Sequence, residues 1–246
     1  MTNMLTPFEK FTRIKEYFNV SKEERNSLLA VIFITSFIFS IKFPGENFSV
    51  MSWLYYFCLT TLVVGFVFVV RLSMQKIQGL WRGYLVEFKV WWGGVIASLI
   101  LAFLSFGWIT VIFAGTITST FMVRQRLGEF RYGYSYGENA AITNWGMVSN
   151  VIMSLIFGFL LYFYPTSYIF KTGLILNLVI AFCQYLPLPQ LEGLQIYFGS
   201  RFIYGLWALL YVAVAILTLT QTKIGLIFAI VTGALIGIGV LLWSDL

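Results

Sequence analysis

Leu186-Pro187-Leu188-Pro189-Gln190-Leu191-Glu192-Gly193 interrupts an otherwise apolar run, and its reading decides how the rest of the chain folds. Pro187 and Pro189 each remove a backbone donor and fix φ, so no regular helix passes through them. Glu192 puts an ionisable carboxyl at or near membrane depth, where a charge is costly and has a partner or a function. Broken backbone at that depth survives only where protein buries it or water reaches it. The other apolar segments are therefore expected to wrap this one.

Working outward, the composition is that of a polytopic membrane protein. Hydrophobic residues make up 59% of 246 and charged residues 11%, with a mean hydropathy of +0.86. That is too little charge to cover a large soluble core, and several near-charge-free runs approach the length that crosses a bilayer. Residues 1–27 are polar and carry no small-x-small cleavage site, so no secretory signal is expected ahead of the first span. The net charge of +6 is scattered along the chain. Scattered cations read as topology signals and argue against a nucleic-acid partner. Cys58 and Cys183 sit in apolar context and read as small buried hydrophobes, not as a disulfide framework. Histidine is absent, which removes the commonest metal ligand and general base.

Residues 1–24 form an N-terminal cytoplasmic surface segment, and 25–246 read as a single transmembrane domain. Ser21-Lys22-Glu23-Glu24 is a capping box with Glu24 reaching back, and it opens a first span over about 25–41. A second span covers 50–70 and ends on Arg71; residues 71–89 read as helix, then loop. Residues 90–123 are too long for one span. Their first half is helix-like, and Ile109–Val123 suits a strand or hairpin as well as a helix. Residues 124–142 are a polar loop in which Tyr132, Tyr134 and Tyr136 alternate with small residues. Spans follow at 143–164, from Leu174 into the broken stretch, at 202–219 and at 225–243. Gly233-x-x-x-Gly237 marks a close-packing face in the last. If 90–123 makes no net crossing, one side holds 13 of the 16 basic residues, which makes it the cytoplasmic side and places the N-terminus there.

With Glu192 as the hub, the polar groups able to meet it are Arg71 and Gln75, four apart on one helical face, with Asn150, Asn177 and Gln184. At these residues the chain resembles a family. Leu186 to Gly193 is similar to the Pro-x-Pro-x-Leu-Asp-Gly signature of the site-2 proteases, the intramembrane zinc metalloproteases. Gly146-Met147-Val148-Ser149-Asn150 is similar to that family's Gly-Pro-Leu-x-Asn. The register of its His-Glu-x-x-His helix falls on Arg71-Leu72-Ser73-Met74-Gln75, followed, as in an archaeal-like branch, by Lys76, Gly83 and Glu87-Phe88-Lys89-Val90-Trp91. The resemblance covers roughly residues 50–200.

What the resemblance implies is a core of helices around a zinc held by two histidines and an aspartate, with a glutamate that activates water. By position those groups are Arg71, Gln75, Glu192 and Leu72 here. A guanidinium cannot ligate a metal and a leucine cannot take a proton from water. A catalytic zinc needs about three protein ligands and an open position, so no metal, no cofactor and no catalytic residue are expected. A buried Arg71–Glu192 ion pair, bridged by Gln75, is expected in the metal's place; the plainer alternative has Arg71 snorkelling to headgroups and Glu192 facing water. Asn150, Asn177, Gln184, Pro187 and Pro189 are read as groove or structural groups.

The expected fold is thus an all-α polytopic bundle of about six spans with a site-2 protease-like core and a short β element near 108–142. The expected function is that of a pseudoprotease in the cell membrane, with the lipid bilayer and a membrane-protein client as partners. An active intramembrane metalloprotease with ligands from elsewhere and a small ion or solute transporter remain as alternatives.

Overall fold

The computed structural model describes residues 7–41, 49–122 and 135–245. They form a mainly helical, membrane-type bundle: α1 (Pro7–Tyr17), α2 (Lys22–Ser40), α3 (Val50–Arg82), β1 (Tyr84–Val90), α4 (Trp92–Leu104), β2 (Gly115–Phe121), α5 (Tyr136–Phe163), α6 (Tyr168–Tyr185), α7 (Glu192–Gly199), α8 (Arg201–Leu219) and α9 (Lys223–Asp245). Four of these helices, α3, α5, α6 and α8, are long and apolar enough to cross a membrane. In α2 the charges of Lys22, Glu23, Glu24 and Arg25 occupy the first turn and leave a shorter uncharged run. In α9 the apolar run Lys223–Gly239 is likewise shorter.

Local chemistry sets the ends of these helices. Ser21 caps α2 by accepting from the Glu24 N–H at 3.1 Å, as the capping box requires. The second half of that box fails, because the Glu24 carboxylate points to β1 and α3 instead. Helix α3 runs on well past Arg71, and its 33 residues span about 50 Å at 1.5 Å per residue. It stops at Gly83, whose left-handed φ of 81° lets its N–H close on Gly79 and Leu80 carbonyls. Helix α6 ends at Tyr185, before the prolines. Helix α5 begins at Tyr136, seven residues ahead of the expected span, with Ser135 accepting from the Glu138 N–H.

The segment 71–89 is therefore helix then strand, not helix then loop. Strand β1 was legible: in Tyr84-Leu85-Val86-Glu87-Phe88-Lys89, Tyr84, Val86 and Phe88 are buried while Glu87 and Lys89 are exposed, the period of two that a half-covered strand shows. It pairs antiparallel with β2, from Tyr84↔Phe121 to Val90↔Gly115. The last residue of β1 thus faces the first of β2, and residues 91–114 leave and return at one place. Helix α4, at 13 residues, is too short to cross a bilayer that needs about 20. Its apolar tip turns back through Phe106 and Gly107, both at positive φ, with Phe106 and Trp108 exposed. The returning limb is tied by the Phe113 N–H to Ser98 Oγ at 2.9 Å and the Ile112 N–H to Cys183 Sγ at 3.4 Å.

Helix α5 is the hub, packing on α3, α6, α7, α8 and α9. Its apolar residues Met147, Val148 and Val151 join Val64, Val67 and Phe68 of α3 and Leu176 and Ile180 of α6 in one core. Outward faces such as Leu62, Phe66 and Val69 of α3 and Leu209 and Ile216 of α8 remain exposed, the surface expected of helices bathed in lipid. Cys58 lies on such a face and is exposed, contrary to its expected burial; Cys183 is buried. The glycine pair of α9 also splits: a Cβ on Gly233 would meet Leu155 at 2.5 Å, whereas one on Gly237 would meet nothing within 4 Å. Lys42, Pro44, Gly45, Arg124, Arg126, Arg131, Tyr132 and Tyr134 lie outside the described residues.

Candidate functional site: a buried ion pair between α3 and α7

The proline-broken stretch delivers Glu192 to the interior by two devices. Gln190 adopts a left-handed φ of 64°, which swings the chain inward after the exposed Pro187–Gln190 turn. Gly193 then lets the first turn of α7 lie on the end of α6: a Cβ there would come within 2.0 Å of the Tyr185 carbonyl oxygen. The prolines themselves are exposed; it is Leu191, Glu192 and Gly193 that the other helices wrap.

Arg71 and Gln75 come from one face of α3, and Glu192 meets both. Arg71 Nη2 donates to Glu192 Oε2 at 2.6 Å, with both side chains at least 95% buried. Gln75 Nε2 donates to the other carboxylate oxygen at 3.0 Å and to the Thr143 carbonyl at 3.2 Å. Arg71 Nη1 reaches the Gly146 carbonyl at 3.4 Å. Each oxygen of the carboxylate thus has its own donor, which is what a buried charge requires. The snorkelling alternative for Arg71 is not what the chain adopts. Gly146 makes the close approach: a Cβ on it would meet Gln75 Nε2 at 2.3 Å and Glu192 Oε2 at 3.0 Å.

A small cavity of about 10 Å³ adjoins the pair, no larger than a single water needs. Leu28, Leu72, Phe88 and Gln184 are among its walls. Leu72 is therefore at the site but contributes only carbon. Gln184, with its amide nitrogen turned to Gly115, donates to the Gly115 carbonyl at 2.8 Å and accepts from the Ala114 N–H at 3.1 Å. It anchors the start of β2, not the carboxylate. Asn177 lies two turns back along α6, donating to the Gly173 carbonyl; it takes no part in the pair.

Asn150 stands one turn along α5 from Gly146. It is 1% exposed, and neither its Nδ2 nor its Oδ1 has a hydrogen-bond partner among the described residues. An unsatisfied buried polar group costs about 1–3 kcal/mol. Asn150→Leu is therefore expected to raise stability by about 1 kcal/mol, read as an upward shift in melting temperature in detergent. A fall instead would show that the amide is bonded in the folded protein.

Sequence reasoning missed a second buried pair. Lys76 Nζ donates to Glu24 Oε2 at 2.8 Å and to the Asn19 carbonyl at 2.8 Å, while Glu24 Oε1 accepts from the Phe88 N–H at 3.0 Å. The signal was a lone lysine on the buried face of α3, one residue after Gln75. Also missed was Gln195, one turn after Glu192, which accepts from Asn139 and Thr143 and donates to Thr116 and the Ile117 carbonyl. It fastens α7 to α5 and β2 and so holds Glu192 in place.

The donor set does not suit a zinc ion. Glu192 is the one carboxylate at the pair, a guanidinium stands against it, and among the described residues no three His, Cys, Asp or Glu side chains converge. Two buried ion pairs and an amide bridge can lock helices together. They offer no nucleophile and no free base.

Comparison with known proteins gives a distant likeness. The chain is 27% identical over 193 residues to a Methanocaldococcus jannaschii protein named "Putative zinc metalloprotease", an alignment that covers 77% of this chain and 91% of that one. No family model matches the chain, and no solved structure does.

Proposed function

We propose that the chain is a membrane protein built on an intramembrane-metalloprotease frame, in which an ion pair has replaced the metal and which holds or regulates another membrane protein without cutting it. The observation that carries this reading is the 2.6 Å contact between Arg71 and Glu192, with Gln75 on the second oxygen. A likeness to a protein named for zinc proteolysis supports the frame. The absence of histidine from the whole sequence supports the loss of the chemistry. Asn150, buried beside Gly146 with both amide atoms unpartnered among the described residues, has the donor and acceptor that an extended client backbone would need.

The proposed setting is the cell membrane with a cytoplasmic N-terminus. In support, residues 91–114 leave and return at one end of the β1–β2 pair, and Lys10, Arg13, Lys15, Lys22 and Arg25 cluster near the N-terminus, as the positive-inside tendency favours for a cytoplasmic segment.

Metal content tests the reading. Purified wild-type protein is expected to carry no stoichiometric zinc by elemental analysis. The triple substitution Arg71→His, Leu72→Glu, Gln75→His, with Glu192 kept, supplies three ligands and a base on the same backbone, and is expected to bind about one zinc per chain. A client crosslinked to the wild type through a photoreactive residue at Leu28 should be recovered at its intact mass. Stoichiometric zinc in the wild type, or cleavage of the client that Glu192→Ala abolishes, would overturn the proposal.

A further inference from the structure

Helix α1 is amphipathic with its faces reversed from those of a soluble surface helix. Its polar face is the one the protein uses. Arg13 Nη1 donates to the Leu80 carbonyl at 3.3 Å, and Lys10 Nζ stands over the Trp81 ring at 5.2 Å, so the cations cap the last turn of α3, where helix-end carbonyls favour them. The opposite stripe is Phe8, Phe11 and Lys15, spaced at three and four residues along one side of the helix, and it runs on to Phe18, one residue past the helix end, whose N–H still bonds the Ile14 carbonyl at 3.0 Å. Phe8 is 78% exposed, Phe11 66% and Phe18 39%. Water on that side would leave aromatic rings solvated while cations are covered, the costlier arrangement.

We infer that α1 is an interfacial helix whose Phe8, Phe11 and Phe18 stripe docks into the acyl–headgroup boundary of the bilayer that the spanning helices cross. The occupant is lipid because α1 rests on α3 at its last turn, and α3 is a helix long and apolar enough to cross a membrane whose outward residues Leu62, Phe66 and Val69 are exposed. At about 50 Å, α3 outruns a hydrocarbon core of about 30 Å. Its final turns, with Trp81, therefore emerge at the interface, where Trp92 at the entry of α4 is also exposed. Lys15, within the stripe, reaches the phosphates by extending its ammonium along the chain's own apolar stem. Helices of this kind lie in the interface plane with the apolar side sunk into it. The inference depends on the membrane setting but not on the pseudoprotease reading.

Depth measurement decides it. In full-length protein with Cys58→Ser, reconstituted into nanodiscs of phosphatidylcholine and phosphatidylglycerol, a spin label at Phe8→Cys or Phe11→Cys is expected to be relaxed more by oxygen than by a water-soluble nickel chelate. A label at Glu16→Cys, off the stripe and exposed, is expected to show the reverse. Greater nickel access at both phenylalanine positions would overturn the inference, because the stripe would then face water. A label there shielded from both relaxants would also overturn it, since protein would then cover the stripe. Label-free membrane insertion checks, by retained melting temperature, confirm that each variant compared is folded.

Discussion

Removing either member of the Arg71–Glu192 pair alone is expected to cost about 3–5 kcal/mol, because the survivor is left as an uncompensated buried charge. Arg71→Met leaves the carboxylate with Gln75 as its one side-chain donor, and Glu192→Leu leaves a guanidinium with the Gly146 carbonyl and the Met147 sulfur. The double variant Arg71→Met, Glu192→Leu removes both charges and is expected to recover most of the loss, since apolar groups of similar volume often replace a buried pair at little cost. Thermal melting of the four proteins in one detergent gives the cycle. A double variant as unstable as the sum of the singles would mean that the two groups do not act as a pair.

Gly193→Ala is expected to be nearly as damaging without touching a charge. The new methyl would lie 2.0 Å from the Tyr185 carbonyl oxygen and 2.6 Å from that of Leu186. Both are backbone atoms, so no side-chain rotation relieves the overlap and α7 must move off α6. Overpacking costs about 1–3 kcal/mol in ordinary cores, and a backbone–backbone clash puts this site at the upper end, about 3 kcal/mol. The displacement also draws Glu192 away from Arg71, so the two defects are coupled: Gly193→Ala should cost less in the charge-free double variant than in the wild type. Equal costs in the two backgrounds would separate the glycine from the pair.

The sequence showed why Glu192 needs Arg71 and Gln75, because two groups four apart on a helix and one carboxyl in a broken segment leave few other ways to satisfy a buried charge. It showed the helical class for the same reason that apolar runs of span length leave few folds. Strand β1 carried its alternation in plain view, but a charged segment after a span also fits a helix surface, and only pairing with β2 decides between them. The roles of Glu24 and Lys76 were hidden for a different reason. A capping-box glutamate has a local partner within three residues, and nothing local says that a lysine from another helix will claim it. Gln184 and Gln195 were hidden likewise, since amides bond to whatever backbone the tertiary fold brings near. Cys58 was misplaced because an apolar neighbourhood in the sequence does not distinguish a helix face turned to protein from one turned to lipid.

The two ion pairs differ in when they become possible. Glu24 precedes Lys76 by 52 residues, so its carboxylate is already made when the ammonium emerges, and α2 can clasp α3 at once. Arg71 precedes Glu192 by 121 residues. At the roughly 5–20 residues per second of a working ribosome, the guanidinium waits on the order of ten seconds for its counter-charge. Through that interval α3 must be inserted with an unpaired cation about two-thirds of the way along it. The pair therefore closes late, once α5 and α6 are made and translation has passed Gly193, and only α8 and α9 are left to pack onto α5 and α7.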